Sequence, residues 1–274
     1  MELSTIQALA ALNKQFYEKH AEDFADSRPR LAAGVQRVLA GIGAGARVLE
    51  VGCGDGKVGR ALARAGVAGY VGLDASEAML ARAERYTTAA RDEVHLRGMK
   101  DVAEISVFRH AQQSFVFLSA DLILPAWPGV LAGQTFDWIL GFAVLHHLPG
   151  YNLRADVLRT LTEHLAPGGR IALSNWRISR SKRIQQRIEP WSTAGLGSDS
   201  LEAGDYLLSW ERKGRHGLRY VHEIDQDEIE RLAARAGLEI IETFAADGVS
   251  GDLSEYIVAQ KRSNQPKPSA PEGK

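Results

Sequence analysis

Short apolar runs alternate with amphipathic stretches along most of this chain. Val48 and Leu49 open the first run, which continues through Glu50 to Val51 and breaks at Gly52-Cys53-Gly54-Asp55-Gly56. Apolar positions recur at helical spacing over 58–65, and a second run over 70–73 stops at Asp74. Ser76 suits the N-cap of a helix over 77–87. Runs at 115–118, 136–142 and 170–175 predict three more strands. A helix over 154–164 precedes the last of them and is stopped by Pro167-Gly168-Gly169. A helix over 225–236 and an antiparallel pair of strands at 238–244 and 256–260 complete the series. Strands that alternate with helices predict an α/β fold with a mostly parallel sheet.

Four stretches stand outside this alternation. Residues 4–40 read as helical, with Leu9, Leu12, Phe16 and Phe24 loosely in phase and a second helical stretch over 31–39. These helices are expected to lie across the carboxyl end of the first strand. Residues 88–112 are long for a helix-to-strand connection and suggest an inserted helix around 99–105, to which no function is assigned. Residues 176–220 have no clear sheet period and are rich in Arg, Gly and Ser, so they read as an insertion over the pocket. The tail, 263–274, holds three prolines and reads as disordered.

The glycine break carries the first chemical signal. Glycines remove the Cβ atoms that keep a ligand off the backbone, and the turn opens a helix whose first N–H groups lack partners. An acid at the tip of the next strand can accept from both hydroxyls of a ribose, and Asp74 lies twenty residues past Gly54. The spacing departs from the dinucleotide pattern G-x-G-x-x-G/A, because Lys57 stands where its third glycine or alanine would be. Glu50 adds a carboxylate beneath the turn. That donor set suits a cation better than a diphosphate. S-adenosylmethionine carries an ammonium and a sulfonium and no phosphate.

Composition narrows the setting. With 274 residues, a net charge of −1 and 45% hydrophobic residues, the chain reads as one soluble domain without a global basic field for nucleic acid. No apolar run reaches membrane-spanning length, the N-terminus has no basic leader pattern, and the cytoplasm is the expected compartment. The single cysteine, Cys53, excludes an internal disulfide and fits the turn as a small residue.

The stretch E-x-G-x-G-x-G from Glu50 to Gly56, followed by Asp74 and the Leu-Ala-Pro-Gly-Gly of residues 165–169, resembles the class I S-adenosylmethionine-dependent methyltransferases. That resemblance implies a Rossmann-like, seven-stranded, mostly parallel sheet with an antiparallel last strand. The domain would span 1–262, with a helical cap at 1–43 and the insertion at 176–220. The flanks resemble a narrower family, the tRNA wobble-uridine carboxymethyl methyltransferases, which include the AlkB-homologue-8-type module. The resemblance lies in Asn13-x-x-Phe16-Tyr17, Ala21-x-x-Phe24-x-x-x-Arg28, Gly204-Asp205-Tyr206-Leu207-Leu208-Ser209-Trp210 and Arg219-Tyr220-Val221-His222. Ser27, Ser209 and Val221 depart from that family's pattern. The implied reaction is O-methylation of a carboxylate on a tRNA wobble uridine. The alternatives are a small-molecule O- or N-methyltransferase and a non-catalytic methyltransferase-like subunit.

The resemblance implies a cofactor set of Glu50, Gly52, Cys53, Gly54, Gly56, Asp74, Ala75, Met79, Ala120, Asp121, Leu122 and Ala143. Glu50 can equally be a buried hydrogen-bonded acid, and Asp121 a loop cap rather than an adenine contact. Arg28, Tyr17, Arg219, Tyr220, His222 and His146 are expected to meet beside the sulfonium. There the arginines would grip a carboxylate in a bidentate fork, or else serve as ion-pair partners. His146 and His147 are adjacent and lack a third ligand, so no metal is expected. Two basic groups, one with Arg177, Arg180, Lys182, Arg183 and Arg187 and the other with Arg212, Lys213, Arg215 and Arg219, offer either a solvated surface or a phosphate-binding face for tRNA.

Overall fold

The computed structural model describes residues 1–88, 93–94, 106–110 and 113–262. The helix expected around 99–105 and the tail at 263–274, expected to be disordered, both lie outside the described residues.

Two helices, α1 (Leu3–Asp26) and α2 (Ala33–Ala40), precede β1 (Arg47–Val51). The glycine turn leads into α3 (Lys57–Ala65), β2 (Gly69–Asp74) and α4 (Glu77–Thr88). Then come β3 (Glu93–Val94), β4 (Ser106–His110), β5 (Gln113–Ser119), β6 (Phe136–Phe142), α5 (Tyr151–Glu163) and β7 (Leu165–Trp176). The insertion holds α6 (Lys182–Gln185), β8 (Ile188–Glu189), β9 (Asp205–Arg212) and β10 (Arg215–His222). The chain closes with α7 (Gln226–Arg235), β11 (Leu238–Ala246) and β12 (Ser254–Lys261).

The main sheet runs β11-β12-β7-β6-β1-β2-β5-β4-β3. From β7 to β5 the pairings are parallel, whereas β12 is antiparallel to both β7 and β11. These seven strands are the expected core. Beyond β5, the antiparallel strands β4 and β3 extend the sheet into the stretch that carried no strand expectation. The chain order reverses between β1 and β6, and at such a switch point the connections leave in opposite directions and open a crevice at the strands' carboxyl ends.

Alternation along each strand divides the core. Leu49, Val51, Leu73, Ile139, Ile171 and Leu173 pack on one face against Leu158 and Leu161 of α5 and Ile229 and Leu232 of α7. Val48, Tyr70, Phe117, Leu140 and Ala172 pack on the other against Val38 of α2, Leu62 of α3 and Ala83 of α4. Ser76 does cap α4, its hydroxyl accepting from Met79 N at 3.2 Å.

The insertion corrects the sequence reading. It contains a hairpin, β9–β10, with β8 as a short third strand, and it ends at His222. Lys213 and Gly214 make the two-residue turn with φ of +50° and +73°, the mirror-image geometry that matches strand twist. Alternation is absent because both faces are covered: Tyr220, Val221 and His222 are consecutive and all buried. One face lies under α1. A Cβ on Gly217 would come within 2.7 Å of the Phe16 ring, so a glycine is needed for α1 to lie this close. From its other side α1 reaches α4, where Glu18 accepts from the N–H groups of Glu77 and Ala78 at 2.7 and 3.3 Å and Arg82 pairs with Glu22 and Asp26. A carboxylate at a helix start is favoured by the unpartnered amides there.

Candidate active site

The crevice is a cavity of about 380 Å³ between the glycine turn, the end of β6 and α1. The turn forms its first wall. Gly52, Gly54 and Gly56 all have positive φ, from +54° to +73°. At Gly52 a Cβ would meet Val144 Cγ2 at 2.3 Å, so the close approach of the turn to the end of β6 requires glycine. Cys53 N donates to Leu73 O at 2.9 Å and ties the turn to β2. Gly54 N and Ser76 N then donate to the two oxygens of Asp74 at 2.8 and 2.9 Å. Burial raises the Asp74 carboxyl above its ordinary range, while these amide donors pull it back. Glu50 lies beneath, accepting from the Tyr70 hydroxyl, and burial pushes it up to about 8. Burial also raises the Cys53 thiol well above its usual range, which argues against a nucleophile.

The opposite wall begins at Ala143, a non-glycine residue at φ +56° whose N–H donates to Ser174 O at 2.9 Å. This left-handed residue, costly without compensation, ends β6 and starts a tight turn over Leu145–His147. The turn sets the two histidine rings edge to face, 4.5 Å between centroids, and gives them different partners. His146 is fully buried against Trp176, whose N–H donates to its Nδ1 at 3.3 Å. His147 faces the cavity. Its Nδ1 lies 2.9 Å from Tyr220 O, an acceptor only, so Nδ1 carries the proton and Nε2 accepts from the Tyr17 hydroxyl at 2.9 Å. Asn13 secures this arrangement from α1. Its Oδ1 accepts from Tyr220 N at 2.8 Å, and its Nδ2 donates to Tyr220 O at 3.1 Å and His147 O at 3.3 Å. Burial, then the charge of Arg219, pushes His147 down to about 3, so the ring is neutral.

Glu50, Gly52, Cys53, Gly54, Asp74, Ala75, Met79, Ala120, Asp121, Leu122 and Ala143 all line the cavity. Gly56 does not; it heads α3, where a Cβ would come within 3.0 Å of Ala83 and Phe117. Asp121 also caps its own loop, accepting from Ile123 N at 3.2 Å. Of the residues expected at the acceptor, only Arg28 and Tyr17 reach the cavity. Arg28 lines its mouth and is exposed to solvent. Desolvation by the crowded mouth, then Arg219, lowers it to about 10, so it stays charged at neutral pH.

The other four are placed elsewhere, each for a physical reason. Arg219 is 3% exposed and lies behind the cavity wall, among the rings of Phe16, Phe24 and Trp176. The Tyr220 hydroxyl turns away to Asp205 at 2.8 Å, leaving its backbone to hold Asn13 and His147. His222 is clamped between Asp205 at 2.7 Å and Glu228 at 2.8 Å, which raises its pKa against the opposing effect of burial. His146 is packed away as described, and His147 takes the place expected for it. Spacing alone could not choose between two adjacent histidines, because the turn that separates them depends on Ala143. The cavity also includes Asn13, Trp176 and Tyr256, which were not in the expected site.

In the second basic group, Lys213 and Arg215 pair with Asp23 at 3.4 and 3.0 Å while remaining exposed, and Arg219 is buried. Glu202, Asp205 and His222 have ligand atoms within 4.8 Å of one another, but Arg154 already occupies that cluster, 2.6 Å from Glu202 and 2.8 Å from Glu228. Among the described residues no helix is long and apolar enough to cross a membrane.

A model of the family described as "Methyltransferase domain" matches residues 20–243. The ubiquinone biosynthesis O-methyltransferase of Dinoroseobacter shibae is 29% identical over 201 residues, which are 72% of this chain and 62% of that protein. The protein of the same name from Methylococcus capsulatus is 25% identical over 239 residues, 87% of this chain and 74% of that protein. The chain thus spans about three-fifths of the length of the first relatives it matches. Among solved structures, the CcbJ methyltransferase of Streptomyces caelestis superposes with a TM-score of 0.61 at 19% identity, covering 90% of this chain and 98% of the other. Magnesium protoporphyrin IX methyltransferase of Synechocystis, solved with bound S-adenosylhomocysteine, gives 0.57 at 16% identity over 91% and 98%. These structures share the fold. The finer resemblance to the tRNA wobble-uridine enzymes is not carried by these relatives.

Proposed function

The chain belongs to the methyltransferase-domain family, and from that premise we propose that it methylates an oxygen of a small-molecule acceptor held between Tyr17, His147 and the glycine turn. It is an S-adenosylmethionine-dependent methyltransferase. Its residues suit that cofactor. Each Asp74 oxygen takes one amide and retains a lone pair for a ribose hydroxyl, and Met79, Leu122 and Ile123 offer apolar contact for a base. Asp74 offers its carboxyl oxygens to that end of the cavity, and Glu50 beneath it, mostly protonated at neutral pH, would ionise as a cation enters. When bound, the cofactor supplies the methyl group on a sulfonium.

The Tyr17–His147 hydrogen bond carries the proposal. Because Tyr17 donates to Nε2, the lone pairs of its oxygen remain to receive an acceptor hydroxyl. That hydrogen bond would orient the acceptor oxygen, with the neutral His147 holding the Tyr17 hydroxyl in place. The positive charges that keep His147 neutral also favour an acceptor oxygen that is losing its proton. The enclosed cavity supports alignment and exclusion of water as the other contributions. The relatives' name supports oxygen as the receiving atom and a small molecule as the acceptor.

The test is turnover on a panel of small phenols and carboxylic acids, followed by mass spectrometry of the product. Tyr17→Phe and His147→Ala should lower kcat at least tenfold, a loss of about 1.4 kcal/mol or more, with cofactor affinity retained. Methylation of tRNA but of no small molecule would overturn the proposal.

A further inference from the structure

A chain of hydrogen bonds runs from α7 to the acceptor side of the cavity. Glu228 Oε2 lies 2.8 Å from His222 Nε2, and His222 Nδ1 lies 2.7 Å from Asp205 Oδ1. The same Asp205 oxygen accepts from the Tyr220 hydroxyl at 2.8 Å. The Tyr220 carbonyl accepts from His147 Nδ1, and His147 Nε2 accepts from Tyr17. His147 is neutral, so His222 is the link that can change charge near neutral pH.

His222 is 2% exposed, and both its nitrogens face carboxylate oxygens, which only accept. Both must therefore carry protons, and the ring is an imidazolium. Asp205 of β9, Glu228 of α7 and Glu202, just before β9, bring three carboxylates to this cluster. The other buried cation is Arg154 of α5, whose Nη2 lies 3.2 Å from His222 Nε2 and opposes its proton. Tyr151 and the exposed Arg231 line the same cleft, and His146, which feels the charge of His222, is kept neutral by burial. Without the His222 proton, the three carboxylates would face Arg154 alone, and one of them would meet a ring lone pair at hydrogen-bond distance.

We infer that His222, as an imidazolium clamped between Asp205 and Glu228, is a positioning residue: it fixes Tyr220 and, through the Tyr220 backbone, the Tyr17–His147 pair, so the acceptor wall loses its alignment when His222 loses its proton. The clamp rests on the proposed function for what that pair does, and on geometry alone for the coupling. Against the desolvation that lowers it, hydrogen bonds to Asp205 and then Glu228 raise the His222 pKa above its ordinary 6.5. The contribution of the clamp is therefore full below about 6.5 and is lost as pH rises through the raised value.

Nitrogen-15 NMR of the full chain, labelled in its histidine rings and saturated with S-adenosylhomocysteine, tests this without an acceptor. His222 should show two protonated nitrogens below about pH 6.5 and lose one on the alkaline side. His147, already neutral, should show a step in its Nδ1 signal at that same pH. His222→Gln keeps a donor but cannot carry the charge. It should abolish the step at His147 and lower kcat about tenfold on any small phenol or carboxylic acid that turns over. S-adenosylhomocysteine affinity, by calorimetry, should follow the wild-type pH curve. Glu228→Gln removes one counter-charge while keeping an acceptor, and should move both steps about one pH unit lower; a merely structural role would leave their position unchanged. A His222 ring with one proton throughout, no step at His147, or a step that survives His222→Gln overturns the clamp. If His222→Gln does not fold, Glu228→Gln decides. Absent coupling with Tyr17→Phe still costing turnover removes the clamp and leaves the proposed function standing, whereas intact coupling with turnover indifferent to Tyr17→Phe strikes the proposed function instead.

Discussion

The two walls of the cavity are built on different length scales. The cofactor wall comes mainly from one contiguous stretch, Glu50 to Met79, in which backbone amides of the turn hold Asp74 twenty residues away. The acceptor wall joins Asn13, His147 and Tyr220 through hydrogen bonds spanning 134 and 207 positions. A local wall depends on a few backbone angles. A long-range wall depends on whether the cap, the insertion and the end of β6 dock together, and its residues can fail as a group while the first wall persists.

Removing the anchor of the insertion should separate the walls most strongly. Arg154 is 1% exposed and joins Glu202, Glu228 and the Leu148 carbonyl. Arg154→Ala removes the buried guanidinium shared by Glu202 and Glu228 and should cost about 3–5 kcal/mol in a denaturant titration. Below the melting transition, acceptor turnover should fall further than cofactor affinity.

The local wall has its own signature in pH. Burial lifts Glu50 to about 8, so the folded protein holds a proton that the unfolded chain releases near 4.5. The contribution of Glu50 to stability is therefore full at low pH, falls as pH rises from about 4.5 to about 8, and is lowest above that. The fall is on the order of 4 kcal/mol. Glu50→Gln should flatten this dependence in melts across pH, and saturating S-adenosylmethionine should lessen it, because a cation in the cavity favours the ionised acid.

Gly52→Ala should cost about 2–4 kcal/mol, from a strained φ and contact with Val144. Here cofactor affinity, measured by calorimetry, should fall with stability. Asn13→Ala should cost about 1–3 kcal/mol, because Tyr220 N loses its acceptor and Tyr220 O keeps only His147 of its two side-chain donors. It should lower kcat with little change in cofactor affinity. Equal losses of both in Asn13→Ala would show that the walls are not separable.

The same contrast explains what could be read from the chain. Glu50, the glycines and Asp74 were legible because their contacts are local and their types follow from turn geometry. Gly56 was assigned to the cofactor because spacing does not distinguish a glycine that meets a ligand from one that meets Ala83 and Phe117. The seven core strands showed in their apolar runs. The hairpin of the insertion did not, because cover on both faces erases alternation over Tyr220–Val221–His222. The choice of His147 over His146 depended on the left-handed Ala143, a conformation that alanine does not advertise. Of the residues open to reading as ion-pair partners, His222 is one, with Asp205 and Glu228, whereas Arg219 forms no ion pair among the described residues; cover by α1 for Arg219 and by α5 and α7 for His222 turns both away from the cavity.

The cofactor wall has a consequence for turnover. Transfer of the methyl group converts a sulfonium to a neutral thioether, so the ligand beside Asp74 loses one positive charge. Glu50, held at about 8 by burial, is drawn toward its ionised form by a cationic ligand and takes its proton back once that charge is gone. The acid that helps to gather the reactant thus switches itself off for the product, and the neutral product is held less strongly than the cation it replaces.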